Sequence, residues 1–440
     1  MEQTRGRFAL CPRWIVPVVP EGELVENHAV VVEDGRISEI PPLADLDSDW
    51  VGIERIDLPG RALIPGLINC HTHSAMTLLR GLADDLPLMV WLGEHIWPAE
   101  QRWVGPDYVR DGTELALAEM LTGGTTCFND NYFFPDVTAA CAVRAGMRAV
   151  IGLPIINMST AWADSESACF ERGLSVHQDL MSEPLVSTAF APHAPYTVSD
   201  AGFERIATLA EEMDVPVHLH LLEAAGEVEN SIEQTGLHPL DRLDRLGLLG
   251  PRLLAVHMTQ LDDQDMDRVA RHGVHVLHCP ASNLKLASGL CPVEALDRRG
   301  VNIAIGTDGA ASNNTLDMFA EMRLAALLAK GVSGDPETIP APRALSMATI
   351  QAARALGLEE AIGSIEPGKQ ADLAAVDLDW QSTGPVHNVI SQLVYATDRR
   401  QVTDVWVAGK RLVADRELLA LNRDQLKEQA RRWQQKLKPS

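Results

Sequence analysis

The sequence predicts an α/β protein: a (β/α)8 barrel of the TIM type together with a small β-sandwich domain. From Ala62 onward, short apolar runs alternate with amphipathic segments of helical period, such as Tyr108–Leu121 and Asp200–Met213. This alternation is typical of repeated strand–helix units. On either side of this region, the chain has the pattern of short strands and turns. The predicted barrel strands end near His73, Asp130, Asn157, His193, His220, His257, Cys279 and Asp308.

The two ends of the chain account for the predicted β domain. A helix-like segment over Arg343–Leu356 completes the barrel repeat, strand-like segments return after it, and Asn422–Leu437 has the pattern of a polar helix. We therefore expect residues 1–61 and 361–440 to form the small domain with its terminal helix. The barrel is expected over residues 62–360.

The charge balance is strongly acidic, with 61 Asp and Glu against 37 Lys and Arg and a formal net charge of −24. The negative electrostatic field of such a protein repels nucleic acids and anionic membrane surfaces. We therefore expect neither as a partner. A neutral, zwitterionic or cationic small molecule fits this charge better.

The cysteines and the apolar segments indicate a cytoplasmic protein. Seven cysteines are scattered along the chain without a Cys-x-x-Cys pair, which argues against a disulfide framework or a zinc knuckle. No apolar stretch approaches the length of a membrane span, and the first residues lack the pattern of a secretion signal. A reducing compartment is the expected location.

An apolar run that begins at Ala62 ends in two histidines, His71 and His73. Side chains alternate along a strand, so these imidazoles project to the same side, with Cys70 and Thr72 turned to the other. Two imidazoles at the end of a buried strand are good ligands for a borderline-soft cation. The pair therefore indicates a metal site.

Two later strand ends supply further candidate ligands. His218 and His220 repeat the His-x-His pattern, and parity alone does not choose between them. His220 is favoured as the metal ligand because it lies nearer the strand end and has Glu223 three residues further on. His218 would then lie deeper in the barrel. Asp308 ends another apolar strand, as either a helix N-cap or a ligand. The combined set is His71, His73, His220 and Asp308. Three imidazoles and a carboxylate around an open position suit a catalytic zinc, and iron(II) and manganese(II) are compatible with the same ligands.

The distribution of lysine argues for one metal rather than two. Two-metal barrels commonly bridge their ions with a carbamylated lysine at the end of the fourth strand. The first lysine of this chain is Lys285, and the fourth predicted strand ends in Ala191-Pro192-His193 instead. We therefore expect a single metal ion.

Motifs spread along nearly the whole chain resemble the amidohydrolase superfamily. Within it, they are most similar to the 5′-methylthioadenosine/S-adenosylhomocysteine deaminases of the chlorohydrolase-like group. The matching segments are Pro65–His73, Ala191–Tyr196, His218–Glu223, Val256–His257, His278–Asn283, Gly306–Asn314 and Gly363–Asp372.

The resemblance implies a reaction and a role for each site residue. One divalent metal per subunit, most often zinc, would be held by His71, His73, His220 and Asp308. The catalytic residues would be Glu223, His257 and Asp308. Substrate would contact Trp91, Glu100, His193, Glu223 and Asp308, with Glu100 accepting hydrogen bonds from ribose hydroxyls. The implied reaction replaces the C6 amine of an adenosine-type nucleoside by oxygen and releases ammonia. Members of the family usually form homodimers or homotetramers.

Alternatives remain open at this point. Glu223 could simply open the next helix, and Trp91 could simply pack the loop after the first barrel strand. The same ligand set would serve deamination or dechlorination of guanine, cytosine or an s-triazine, for which a ribose-binding Glu100 has no purpose. Some relatives also contact substrate through an arginine, for which Arg172 is the nearest candidate. A remote alternative is a scaffold barrel without catalysis, which would be expected to lose metal ligands.

Overall fold

The computed structural model describes residues 6–46, 50 and 52–437. In chain order the strands are β1 Phe8–Ile15, β2 Val25–Glu26, β3 Val30–Glu33, β4 Arg36–Glu39, β5 Glu54–Pro65, β6 Leu67–Thr72, β7 Thr125–Asp130, β8 Arg148–Ile155, β9 Val186–Pro192, β10 Val217–Leu221, β11 Leu253–His257, β12 His275–His278, β13 Ile303–Ile305, β14 Leu373–Asp377, β15 Val402–Val407, β16 Lys410–Ala414 and β17 Glu417–Leu418.

The α-helices lie between and around these strands. They are Leu88–Val90, Trp97–Trp103, Pro106–Thr122, Pro135–Ala145, Glu166–Leu180, Asp200–Met213, Ala225–Thr235, Pro239–Arg245, Asp263–His272, Pro280–Lys285, Val293–Arg298, Ala310–Asn313, Met318–Ser333, Ala341–Met347, Ile350–Ala355, Val389–Tyr395 and Arg423–Lys436. A π-helical segment, Trp91–Ile96, joins the first two.

Strands β6 to β13 form the predicted barrel: eight parallel strands in chain order. The observed strand ends agree with the predicted ones to within a few residues. The first and last strands meet where the N–H of Asp308 donates to the carbonyl oxygen of His71 over 2.9 Å. Gly306 permits this approach, because a Cβ at that position would lie 2.6 Å from the His71 nitrogen. The α/β barrel fold predicted from the sequence is therefore confirmed.

The strands from both chain ends form one nine-stranded mixed sheet. Its hydrogen-bonded order is β17-β16-β15-β14-β5-β1-β3-β4, with β2 paired to β1. The strand β5, from the first part of the chain, pairs with β14, from the last part, and this pairing joins the two ends. The prediction that strands from both chain ends come together is confirmed, and they form one mixed sheet.

The apolar run from Ala62 to His73 is divided between the two sheets. Strand β5 ends at Pro65, which has no N–H to continue a ladder, and β6 begins at Leu67. Between them, the N–H of Gly66 donates to the backbone carbonyl oxygen of Asp372 over 2.9 Å. Glycine is needed here because a Cβ at this position would overlap the side chain of Thr126. The apolar run is therefore two strands rather than one: β5 extends beyond residue 61 into the small sheet, and β6 leads to the histidines.

The helix predicted over Arg343–Leu356 is interrupted. Two helices, Ala341–Met347 and Ile350–Ala355, flank Thr349, whose ψ of −97° is not helical. The terminal helix Arg423–Lys436 is present as expected, and its Trp433 donates from Nε1 to Asp111 on the first long barrel helix over 2.9 Å.

A buried ion pair links the barrel to the mixed sheet. Arg148, at the start of β8, donates to both carboxylate oxygens of Asp372, over 2.8 and 3.0 Å. Asp372 also accepts the N–H of Ala408 (2.7 Å). Both side chains are buried, so removing one partner would leave the other charge without compensation.

We predict that Asp372→Ala lowers the free energy of unfolding by about 3–5 kcal/mol, because it leaves the buried guanidinium of Arg148 without a counter-charge. Urea denaturation measures the loss. The matched control is Glu417→Ala, which removes the solvent-exposed pair with Arg423 and should change stability by less than about 0.5 kcal/mol. Equal stability of the two variants would show that the buried pair does not hold the domains together.

Candidate metal centre and catalytic cavity

Four of the predicted site residues converge at the carboxyl end of the barrel. The carboxylate Oδ1 of Asp308 lies 3.2 Å from Nε2 of His71 and 3.2 Å from Nε2 of His73. The Nε2 atoms of His220 and His73 lie 3.3 Å apart. These spacings are those of atoms that share a coordination sphere.

Each of these three imidazoles is oriented by a hydrogen bond from its other nitrogen. Nδ1–H donates from His73 to the carbonyl of Asn131 (2.5 Å) and from His220 to the carbonyl of His193 (2.6 Å). The Nδ1 of His71 lies 2.8 Å from Nε2 of His218. With Nδ1 carrying the proton, the lone pair of Nε2 faces the common point, which is the arrangement that metal-binding histidines require. His218 thus contacts a candidate ligand rather than the common point.

The carboxylate of Asp308 is also held in place by hydrogen bonds. Oδ2 accepts hydrogen bonds from the hydroxyls of Ser282 (2.6 Å) and Ser312 (2.9 Å), and Oδ1 accepts the N–H of Gly309 (2.7 Å). Asp308 has a φ of 61°, in the left-handed region, directly after β13. Such backbone strain persists where the surroundings dictate it, and it turns the carboxylate towards the histidines.

The chemistry of this donor set fits a divalent cation. Nε2 of His71 is buried and has no hydrogen-bond partner among the described residues. Burial lowers the pKa of His71 to about 4 and that of His220 well below its usual value, so both imidazoles stay neutral as ligands must. Burial also disfavours the charged form of His73, but Asp308 outweighs it and raises that pKa to about 9. The field at this point therefore favours positive charge.

Two further side chains border the same point. His257, with a φ of 76°, donates from Nδ1 to Asn283 Oδ1 (2.8 Å), so its Nε2 faces the site. Nε2 of His257 lies 3.8 Å from Oε2 of Glu223. Burial raises the pKa of Glu223, which suits a carboxyl group that carries a proton, and Ser288 donates to its Oε1 over 3.2 Å. His257 also lies near enough to His71 and His220 to form a second three-nitrogen group.

A cavity of about 470 Å³ opens above these groups. Its floor includes His73, His220, Glu223, His257 and Asp308, and its walls are mostly apolar and aromatic. Polar groups at one end of an apolar cavity of this size are typical of a small-molecule site.

The predicted substrate contacts all line this cavity. Glu100 accepts a hydrogen bond from the hydroxyl of Tyr132 (2.6 Å), and burial raises its pKa to about 6. Trp91 is 5% exposed and packs with Met76 in the cavity wall. His193 has its ring 5.2 Å from that of His220. Glu223 does not merely open a helix, since its carboxyl group faces His257 and Ser288.

One candidate lies away from the cavity, and a further histidine lies beside the site. Arg172 is exposed at the surface, where its guanidinium donates to the carbonyl of Trp162, and it does not line the cavity. His278 is buried beside the site, and neither of its ring nitrogens has a partner within the part of the chain that the structure describes.

Several contacts were not predicted from the sequence. Asn283 orients His257, Ser282 and Ser312 hold Asp308, and Tyr132 binds Glu100. A signal was available for two of them: Ser282 and Asn283 follow the seventh barrel strand in the segment His278–Asn283, where barrel enzymes place functional groups. No local pattern marks Tyr132.

Across residues 6–46, 50 and 52–437, no helix combines the length and the apolar character needed to cross a membrane.

Comparison with known proteins places the chain in a family. The model of the amidohydrolase family matches residues 62–412. A 5-methylthioadenosine/S-adenosylhomocysteine deaminase of Teredinibacter turnerae is 51% identical over 430 residues, covering 98% of this chain and 97% of that protein. An adenosine deaminase from Xanthomonas campestris, crystallised with bound zinc, is 53% identical with a TM-score of 0.96 over 98% of each chain. Atrazine chlorohydrolase TrzN from Arthrobacter aurescens shares the fold at 23% identity, with a TM-score of 0.90 over 97% of this chain and 99% of that one. The chain belongs to the amidohydrolase family.

Proposed function

We propose that this protein is a metal-dependent deaminase of adenosine-type nucleosides, with 5′-methylthioadenosine, S-adenosylhomocysteine and adenosine as candidate substrates. The observation that carries the proposal is a cavity lined by three of the four candidate ligands, by Glu223 and by the candidate ribose contact Glu100. The fourth candidate ligand, His71, is buried next to them, with its Nε2 3.2 Å from Oδ1 of Asp308. The deaminases that match over nearly the whole chain support the same reaction.

One divalent cation held by His71, His73, His220 and Asp308 would act as a Lewis acid and make water nucleophilic near neutral pH. Zinc is the preferred candidate because it suits three imidazoles and one carboxylate, and because the Xanthomonas relative contains it. Iron(II) and manganese(II) accept the same ligand types.

The residues of the chain move the protons. Glu223, whose pKa is raised by burial, donates a proton to ring nitrogen N1 and makes C6 electrophilic. Asp308 and His257 orient the attacking water and accept its proton, while the water oxygen bonds to C6. Glu223, now a carboxylate, carries the proton of the added hydroxyl to the exocyclic amine, so that the C6–N bond breaks, ammonia leaves and C6 becomes a carbonyl carbon. The proton held by Asp308 and His257 then passes to Glu223 and restores its acid form. The product is the inosine-type nucleoside with hydrogen on N1.

The residue types in the cavity wall indicate which 5′ substituent of the nucleoside the site would accept. Among the described residues that line it, none is Lys or Arg, and the ionisable acids there are Glu100, Glu223 and Asp308. Neither a guanidinium nor an ammonium group is thus in place to pair with the carboxylate of a homocysteine substituent. An uncharged methylthio group matches the apolar wall better.

We also propose a cytoplasmic location and a homo-oligomeric state, a dimer or tetramer. All seven cysteines lie in the described part of the chain and are free thiols, as expected in a reducing compartment. The oligomeric state follows the usual pattern of the superfamily, and analytical ultracentrifugation would determine it.

We predict that His71→Ala abolishes both metal binding and turnover, because it removes one of the four candidate ligands, whose Nε2 lies 3.2 Å from Oδ1 of Asp308. Metal per chain is measured by elemental analysis after purification. The control is His95→Ala at an exposed position, which should keep metal and activity. Full metal content in His71→Ala would contradict the ligand assignment.

We predict that Glu223→Gln lowers kcat by about 10²–10⁴-fold, since the amide cannot supply the proton to N1. Metal content should stay at the wild-type level. Glu94→Gln, at an exposed position on the π-helical segment, is the control and should leave kcat unchanged. Near-normal turnover by Glu223→Gln would refute its role as the acid.

We predict that 5′-methylthioadenosine has a kcat/KM at least about 10-fold above that of S-adenosylhomocysteine, because the homocysteine carboxylate finds no cationic partner in the cavity. Ammonia release is measured for both, and for adenosine, guanine, cytosine and an s-triazine. Preference for a free base or a triazine would favour the alternative activities. Equal values for the two thioethers would contradict the proposed role of the wall.

A further inference from the structure

Glu227 is a carboxylate next to the site that has no part in the reaction proposed above. It lies on the helix Ala225–Thr235 and is not among the side chains that line the cavity. Oε1 accepts the N–H of Leu222 (3.0 Å), and Oε2 accepts the N–H of Glu223 (2.9 Å). One carboxylate therefore holds two consecutive N–H groups of the turn that carries Glu223.

That turn needs external support. Strand β10 ends at Leu221, and Leu222 has a φ of 52°, in the left-handed region that a leucine rarely adopts. On the other side of the turn, Thr259 donates its N–H to the Leu222 carbonyl (2.9 Å) and its hydroxyl to the Glu223 carbonyl (2.6 Å). The turn is thus held through its carbonyls by Thr259 and through its N–H groups by Glu227. Strain of this kind costs free energy and persists only where such contacts impose it.

The direction in which Glu227 points distinguishes this role from ordinary helix capping. Glu227 is the third residue of its helix, where a glutamate commonly accepts the N–H of the N-cap residue. The N-cap here is Ala224, and the carboxylate extends beyond it to the two preceding residues. The side chain therefore stabilises the turn before the helix more than the start of the helix itself.

We propose that Glu227 is a positioning residue: by holding the N–H groups of Leu222 and Glu223, it fixes the Glu223 carboxyl group beside His257. The orientation of that carboxyl group depends on the turn, because its own contacts are few and long. They are a 3.2 Å hydrogen bond from Ser288 and a 3.8 Å distance to His257. A displacement of about 1 Å in a reacting group can cost about 10²-fold in rate. The inference rests on the proposed function of Glu223 as the acid.

The test compares Glu227→Ala and Glu227→Gln with Glu229→Gln, an exposed position on the same helix. We expect Glu227→Ala to lower kcat by about 10–100-fold with KM, metal content and melting temperature unchanged. Glu227→Gln keeps one acceptor oxygen for one of the two N–H groups, so its loss should be smaller. It also serves as the test variant if Glu227→Ala fails to fold. Glu229→Gln should match the wild type.

Two measurements separate positioning from a general structural role. Because Glu227 acts through Glu223, adding Glu227→Ala to Glu223→Gln should lower kcat no further. Hydrogen exchange at the amides of Leu222 and Glu223 should become faster in Glu227→Ala, while the barrel strands exchange as in the wild type.

Wild-type kcat in Glu227→Ala, or a loss of the same size in the Glu223→Gln background, would overturn the inference. Failure of the proposed function gives a different result: the wild-type protein would release no ammonia from any nucleoside. In that case amide exchange still tests whether Glu227 holds the turn.

Discussion

The site depends on the acceptors that hold the Nδ1–H groups of its histidines. Two of them are backbone carbonyls, Asn131 after β7 and His193 after β9, and each belongs to a strand end other than that of the histidine it holds. A carbonyl at a strand end is fixed by the closure of the barrel. The directions of the Nε2 lone pairs therefore follow from the closed ring of strands, and the candidate cation site is part of the fold rather than an addition to it.

Strained backbone at the strand ends serves the same purpose. Leu222, His257 and Asp308 all have positive φ within a few residues of the end of a barrel strand. Each conformation costs free energy that the neighbouring hydrogen bonds offset, such as the bond from Asp308 N–H to the His71 carbonyl. The result is a rigid set of side chains that needs little rearrangement for a reaction to proceed.

The apolar cavity wall and the polar floor act together. Exclusion of water raises the pKa of Glu223 and brings that of Glu100 to about 6. A carboxyl group whose pKa is raised keeps its proton to higher pH than an exposed glutamate does, and this suits it to act as an acid. The same apolar wall holds no cationic side chain among the described residues, and this is the basis of the proposed preference for an uncharged 5′ substituent.

The sequence by itself determined the barrel, its strand ends and the candidate ligands, because hydrophobic period and side-chain alternation are local properties of the chain. Side-chain parity did not separate His218 from His220, and only the position of His220 nearer the strand end favoured it as the ligand. The tertiary structure distinguishes them: the ring of His218 lies against His71, whereas Nε2 of His220 faces His73. Only the tertiary structure divided the run before His71 between two sheets, brought Asn283 to His257 and turned Glu227 back onto the acid-bearing turn. These contacts join residues whose meeting is set by strand pairing, chain reversal and close packing, which no local pattern of residue types encodes.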